Sequence, residues 1–175
     1  MTCCQEDIGR VATTGVSVSA QGQPVRLEHS PMNLMNRNAS ATWKGNLQGG
    51  RGTLTTESGV LSKTQYSHGT NFVEGIGTNP DELLAASLSG CFSMALSREL
   101  GLGGLHPESI ETTATATLED LAAGWTITRM QLDVRASVPN ATQARFMDAA
   151  MAARTNCPIG RLLNTNISMS ATLDL

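Results

Sequence analysis

The stretch that most constrains this chain is residues 79–101, NPDELLAASLSGCFSMALSRELG. Asn79 offers the side-chain acceptor that a helix N-cap needs, Pro80 suits a first helical position, and Glu82 stands three residues after the cap. Asp81 and Glu82 put negative charge at the positive end of the helix dipole. Leu84, Leu88, Cys91 and Ala95 recur at three- and four-residue steps and share one face. Ala85, Ala86, Ser87, Ser89 and Gly90 are small enough for another backbone to come close. Gly101, Gly103 and Gly104 stop the helix, and Pro107 prevents a restart. The pattern predicts a well-capped helix with a cysteine in its middle, and any fold has to be built around it.

The flanking sequence supplies walls for that helix. Ala39–Asn46 and Thr53–Thr56 read as strands joined by the glycine-rich turn QGGRG. Residues 57–78 read mostly as loop, broken by Gly59, Gly69, Gly75 and Gly77. Beyond the helix, Ser109–Leu118 is a threonine-rich strand. Trp125–Val138 alternates, with Thr128, Met130, Leu132, Val134 and Ala136 on a face predicted to be buried. A second helix follows over residues 141–155, with Phe146, Ala149, Ala150 and Ala153 inward. Cys157-Pro158 opens a short helical turn, and Ile167, Met169, Ala171, Leu173 and Leu175 alternate in a closing strand. Strands, helix, strands, helix, strand is an α+β order. Residues 1–37 lack periodicity and are predicted to be a flexible N-terminal extension to a domain over 38–175.

Composition matters here for what it excludes. A net charge of -3 without a basic run argues against nucleic acid or an anionic membrane as partner. No apolar run is long enough to span a bilayer, and the N-terminus lacks a secretory pattern. A cytoplasmic, reducing compartment is the expectation. There, four cysteines do not read as a disulfide framework. No C-x-x-C pair or cysteine–histidine spacing supports a metal, and no cofactor is expected.

Two thiols lie inside structured segments. Cys91 by itself reads as a small core residue sooner than as a reactive thiol. Cys157 precedes a proline at a helix N-terminus, where backbone N–H groups favour a thiolate; on local grounds it is the more acidic of the two.

Three separated segments, GTNPDELLAASLSGCFSMALS, TTESGVL and NCPIGRLLN, resemble the motifs of the OsmC/Ohr family of thiol peroxidases, the OsmC branch above all. The likeness runs from about Ala39 to Leu175. It implies an α+β fold assembled as an intertwined homodimer, with two central helices wrapped by antiparallel sheets and the active sites at the subunit interface. It implies that Cys91 attacks an organic hydroperoxide, with hydrogen peroxide a weaker substrate. Cys157 then resolves the sulfenic acid into a disulfide, and a dithiol, in one branch a lipoyl group on a protein, restores the thiols. The role would be defence against oxidative or osmotic stress.

The family also holds an acid and an arginine at the site. Asp81 matches the acid, with Asp in place of the usual Glu, and Glu82 matches the second acid of the OsmC branch. At ~1.5 Å per residue, Asp81 stands roughly 15 Å from Cys91 along its own helix, so an acid acting at the thiol would come from the other subunit. Asn71 occupies the OsmC-branch arginine position, and Arg51 lies beside the Ohr-branch position. Arg51 is expected to take over that role, or else to be a solvated turn charge. Leu84, Leu88, Phe92, Ile159 and Leu163 are expected to wall an apolar substrate pocket, and Leu88 and Phe92 are equally well explained as core or dimer interface. A non-catalytic member that senses redox state or binds a hydrophobic ligand is the alternative function. A third reading leaves both cysteines as inert core residues.

Overall fold

A computed structural model describes residues 34–71 and 77–174. Two compact units divide at Arg37 and Asn38. Of the first, residues 34–37 are described, and all are exposed. The remainder of the predicted extension lies outside the described residues.

In the second unit, β1 (Ala39–Lys44) and β2 (Arg51–Thr56) form the predicted hairpin. A third strand, β3 (Thr64–Tyr66), adds antiparallel to β2 inside the segment that the sequence reads mostly as loop. Three residues carry too little pattern to announce a strand; the free edge of β2 selects them. Gly52 sits under the ring of Tyr66, where a Cβ would clash with the ring carbons. The Tyr66 ring in turn packs at a tilt on Trp43.

Gly77 joins this sheet to the central helix. Its φ is +124°, and a Cβ there would stand 2.5 Å from the Gln65 carbonyl oxygen. Both the backbone angle and the contact with main chain require glycine. Gly77→Ala is therefore expected to lower stability by about 1–3 kcal/mol. A chemical-denaturation midpoint indistinguishable from the parent would contradict this.

The central helix α1 spans Pro80–Leu102. Asn79 Oδ1 accepts from the Glu82 backbone N–H at 2.7 Å, which is half of a capping box. The Glu82 carboxylate takes the Thr78 hydroxyl instead of completing the box. The buried stripe is Leu88, Phe92, Leu96 and Leu100, with Ala85, Cys91 and Ala95 partly buried beside it. That stripe runs further along the helix than Leu84–Ala95 alone suggests.

A long hairpin covers α1. Strands β4 (Ser109–Leu121) and β5 (Gly124–Ser137) pair antiparallel, with a register shift at Thr117 and Leu118. Met130, Leu132, Val134 and Ala136 of β5 are buried, as the alternation predicts, while Arg129, Asp133 and Arg135 face solvent. Helix α2 (Gln143–Asn156) is capped by the Thr142 hydroxyl and buries Phe146, Ala150 and Ala153. After the short helix α3 (Pro158–Leu162), strand β6 (Asn166–Asp174) joins β5 in parallel. A parallel neighbour needs a crossover, and α2 with α3 is that crossover. The sheet order β4-β5-β6 puts β5 in the centre, with its apolar face in the same core as α1 and α2. The architecture is α+β, and this core is what brings residues 91 and 157 near one another.

Candidate functional site

Cys91 lies one residue before Phe92 on α1, half-buried at the edge of the stripe. Cys157 closes α2 and caps α3. Pro158 holds it extended at φ -62° and ψ 116°, and its residue exposure is 1%. The two thiols come from segments 66 residues apart (157 − 91), and they lie near enough for Cys91 to raise the pKa of Cys157. Both are free thiols.

Burial pushes the Cys157 thiol above its ordinary pKa. The Gly160 N–H, at 3.4 Å from Cys157 Sγ, pulls the other way, and so does the Ile159 N–H; the neighbouring Cys91 raises it further. The local expectation of an acidic Cys157 is thus corrected. The backbone donors are where the Cys-Pro turn predicts them, but removal of water outweighs them.

Each of the other predicted site residues has a definite place. Asp81 and Glu82 stand in the first turn of α1 and line a cleft of about 340 Å³ with Asn79, Ala85, Thr115 and Leu118. Arg51 begins β2 opposite Lys44, exposed, and among the described residues its side chain makes no hydrogen bond or ion pair. Asn71 ends a 3-10 turn at Gly69–Asn71. Leu88 and Phe92 are core residues, 1% and 0% exposed. Leu84, Ile159 and Leu163 are half-buried, the last two packed on the core. The structure therefore joins the two thiols and Ile159, whereas the acids gather at the far end of the helix and the arginine belongs to the other sheet.

One feature of the surroundings has no local sequence signal. Asn156 donates through Nδ2 to Glu99 Oε1 at 3.1 Å, a contact across 57 residues that ties α2 to α1 just before Cys157. Among the described residues no His, Cys, Asp and Glu group is arranged to hold a metal ion, and no helix is long and apolar enough to cross a membrane.

Residues 73–172 match the family described as OsmC-like protein. The chain belongs to the OsmC-like family. It is 38% identical over 139 residues to the peroxiredoxin OsmC of Escherichia coli K12, covering 79% of this chain and 97% of that protein. Similar folds include an OsmC-like protein from Vibrio cholerae, at TM-score 0.65 and 17% identity, covering 79% and 99% of the two chains. An organic hydroperoxide resistance protein from Elizabethkingia anophelis superposes at TM-score 0.59 with 23% identity, covering 82% and 99%.

Proposed function

We propose that this OsmC-like chain is a two-thiol peroxidase that reduces organic hydroperoxides in oxidative or osmotic stress defence. The observation that carries the reading is that half-buried Cys91 packs against the core that holds buried Cys157, near enough to raise its pKa. The names borne by its relatives, peroxiredoxin OsmC and organic hydroperoxide resistance protein, support it.

In the first step the Cys91 thiolate attacks the outer peroxide oxygen. An S–O bond forms, the O–O bond breaks, and the leaving alkoxide takes a proton to become an alcohol. Cys157 then displaces the hydroxyl of the Cys91 sulfenic acid; the disulfide forms and water leaves with the Cys157 proton. A dithiol, carried on a lipoylated protein or free, reduces the disulfide by two exchange steps. Cys91 is the more accessible thiol, which suits it to meet the peroxide. Leu84 and Ile159 supply the accessible part of an apolar wall, backed by Leu88 and Phe92, and such a wall favours an alkyl tail over hydrogen peroxide.

The proposal includes a homodimer. All six residues of β1 are exposed, and Trp43, Leu47 and Met94 leave apolar surface in solvent at 37%, 65% and 77% exposure. A second subunit would cover such surface, and would bring an arginine and an acid, Arg51 with Asp81 or Glu82, to a thiol that its own helix cannot activate. Cys91 sits mid-helix, away from the positive end where a thiolate is favoured.

Stopped-flow reduction of cumene hydroperoxide by a dithiol tests the function. Turnover is expected for the full chain; no turnover while both thiols still titrate would overturn the reading. Arg51→Ala is expected to slow the peroxide step by about 100-fold, the scale of losing one fixed charge that stabilises a transition state. Unchanged turnover would remove Arg51 from the mechanism.

A further inference from the structure

We propose that Glu99 is a positioning residue for the second thiol: its carboxylate grips Asn156 and so sets where Cys157 stands against Cys91. The inference rests on the two-thiol reading above. Glu99 lies on α1 two turns beyond Cys91, roughly 12 Å along the helix at ~1.5 Å per residue. Its Oε1 accepts from Asn156 Nδ2 at 3.1 Å and from Arg98 Nη1 at 2.7 Å. The Glu99 side chain is only 12% exposed, against 66% for Arg98. A carboxylate so covered needs its polar partners. Asn156 is exposed and has water available, so its amide has no such need; the bond instead fixes where α2 ends.

Cys157 is the next residue. Pro158 limits its backbone, and its N–H is held by the Ala153 carbonyl at 2.8 Å. One rigid helix thus carries Cys91 on one turn and, on a later turn, the group that anchors the residue bonded to Cys157. The step this frame serves follows oxidation of Cys91 by an organic hydroperoxide. Cys157 Sγ attacks Cys91 Sγ, the S–S bond forms as the S–O bond breaks, and the hydroxyl departs as water with the Cys157 proton. Disulfide geometry demands Cβ atoms about 3.5–4.5 Å apart, so closure depends on how often the pair visits that separation. Attack of the peroxide on Cys91 makes no such demand on Cys157.

The two steps separate in rapid-mixing experiments with cumene hydroperoxide on the full chain. Glu99→Ala is expected to slow disulfide closure about tenfold while the peroxide step changes less than about twofold. Excess hydroperoxide should then carry Cys91 to the sulfinic acid, seen by mass spectrometry as two added oxygens. Glu99→Gln keeps an acceptor oxygen for Asn156 and should restore closure to the parent rate. Asn156→Ala should match Glu99→Ala, and the double variant should close no more slowly than either, because both remove one interaction. Closure at the parent rate in Glu99→Ala overturns the proposal. So does an equal fall of both steps in Glu99→Ala and Glu99→Gln, which would mean a general loss of structure. A parent chain that never forms the disulfide would sink the two-thiol reading itself, an outcome distinct from the failure of the Glu99 tie.

Discussion

Cys91→Ser is expected to reduce peroxide turnover at least a thousandfold, an estimate on the order of those for removal of a nucleophile. A serine hydroxyl at that position has no route to an anion near neutral pH, and oxygen does not form the sulfenic intermediate. Cys157→Ser should behave differently. It leaves the first step intact, so one equivalent of alcohol should appear in a burst. Cys91 should then persist as a sulfenic acid that dimedone labels, and advance to the sulfinic acid in excess peroxide. The asymmetry follows from the site. Cys91 is half-buried, while Cys157 is 1% exposed and its thiol pKa is pushed up by burial. If Cys91→Ser retained turnover and Cys157→Ser abolished the burst, the order of the two thiols would be reversed.

Phe92→Ala is expected to destabilise the fold by about 3–5 kcal/mol, which removes much of the 5–15 kcal/mol that an ordinary domain possesses. Its ring is 0% exposed and lies in the stripe shared with Leu88, Leu96 and Leu100, in the same core as the buried residues of β5. A drop in Tm on the order of 10 °C should accompany the loss. The same variant tells core from pocket wall. If Phe92 met the substrate rather than the core, its loss would raise KM and leave the denaturation midpoint nearly in place. Burial of Cys157 adds a pH signature. Its folded pKa lies above its unfolded value, so the folded state binds this proton more tightly. That contribution is complete below the ordinary thiol range and is lost as pH rises through the raised value, so it weakens the fold only on the alkaline side.

Much of this architecture can be read from local pattern. Asn79, Pro80 and the glycines after Leu100 bound α1 nearly where the structure ends it, because capping is decided within one turn of chain. The alternation of Met130, Leu132, Val134 and Ala136 predicts the buried face of β5, since strand side chains alternate whatever the partner. Strand β3 is different: TQY pairs only because β2 has a free edge. The parallel placement of β6 is also beyond periodicity, which reports a face and not a direction.

The site divides in the same way. Sequence by itself determined that α1 is a capped helix with Cys91 at its middle, that a Cys-Pro turn carries backbone donors, and that the chain resembles a family in which such cysteines work as a pair. Only the tertiary structure decided that Cys157 is buried near Cys91, that its pKa moves up and not down, and that Glu99 reaches Asn156 across 57 residues. The reason is physical. Caps, turns and alternation depend on neighbours within a few residues, whereas desolvation depends on which distant segments exclude water, and that is settled only when the core has closed.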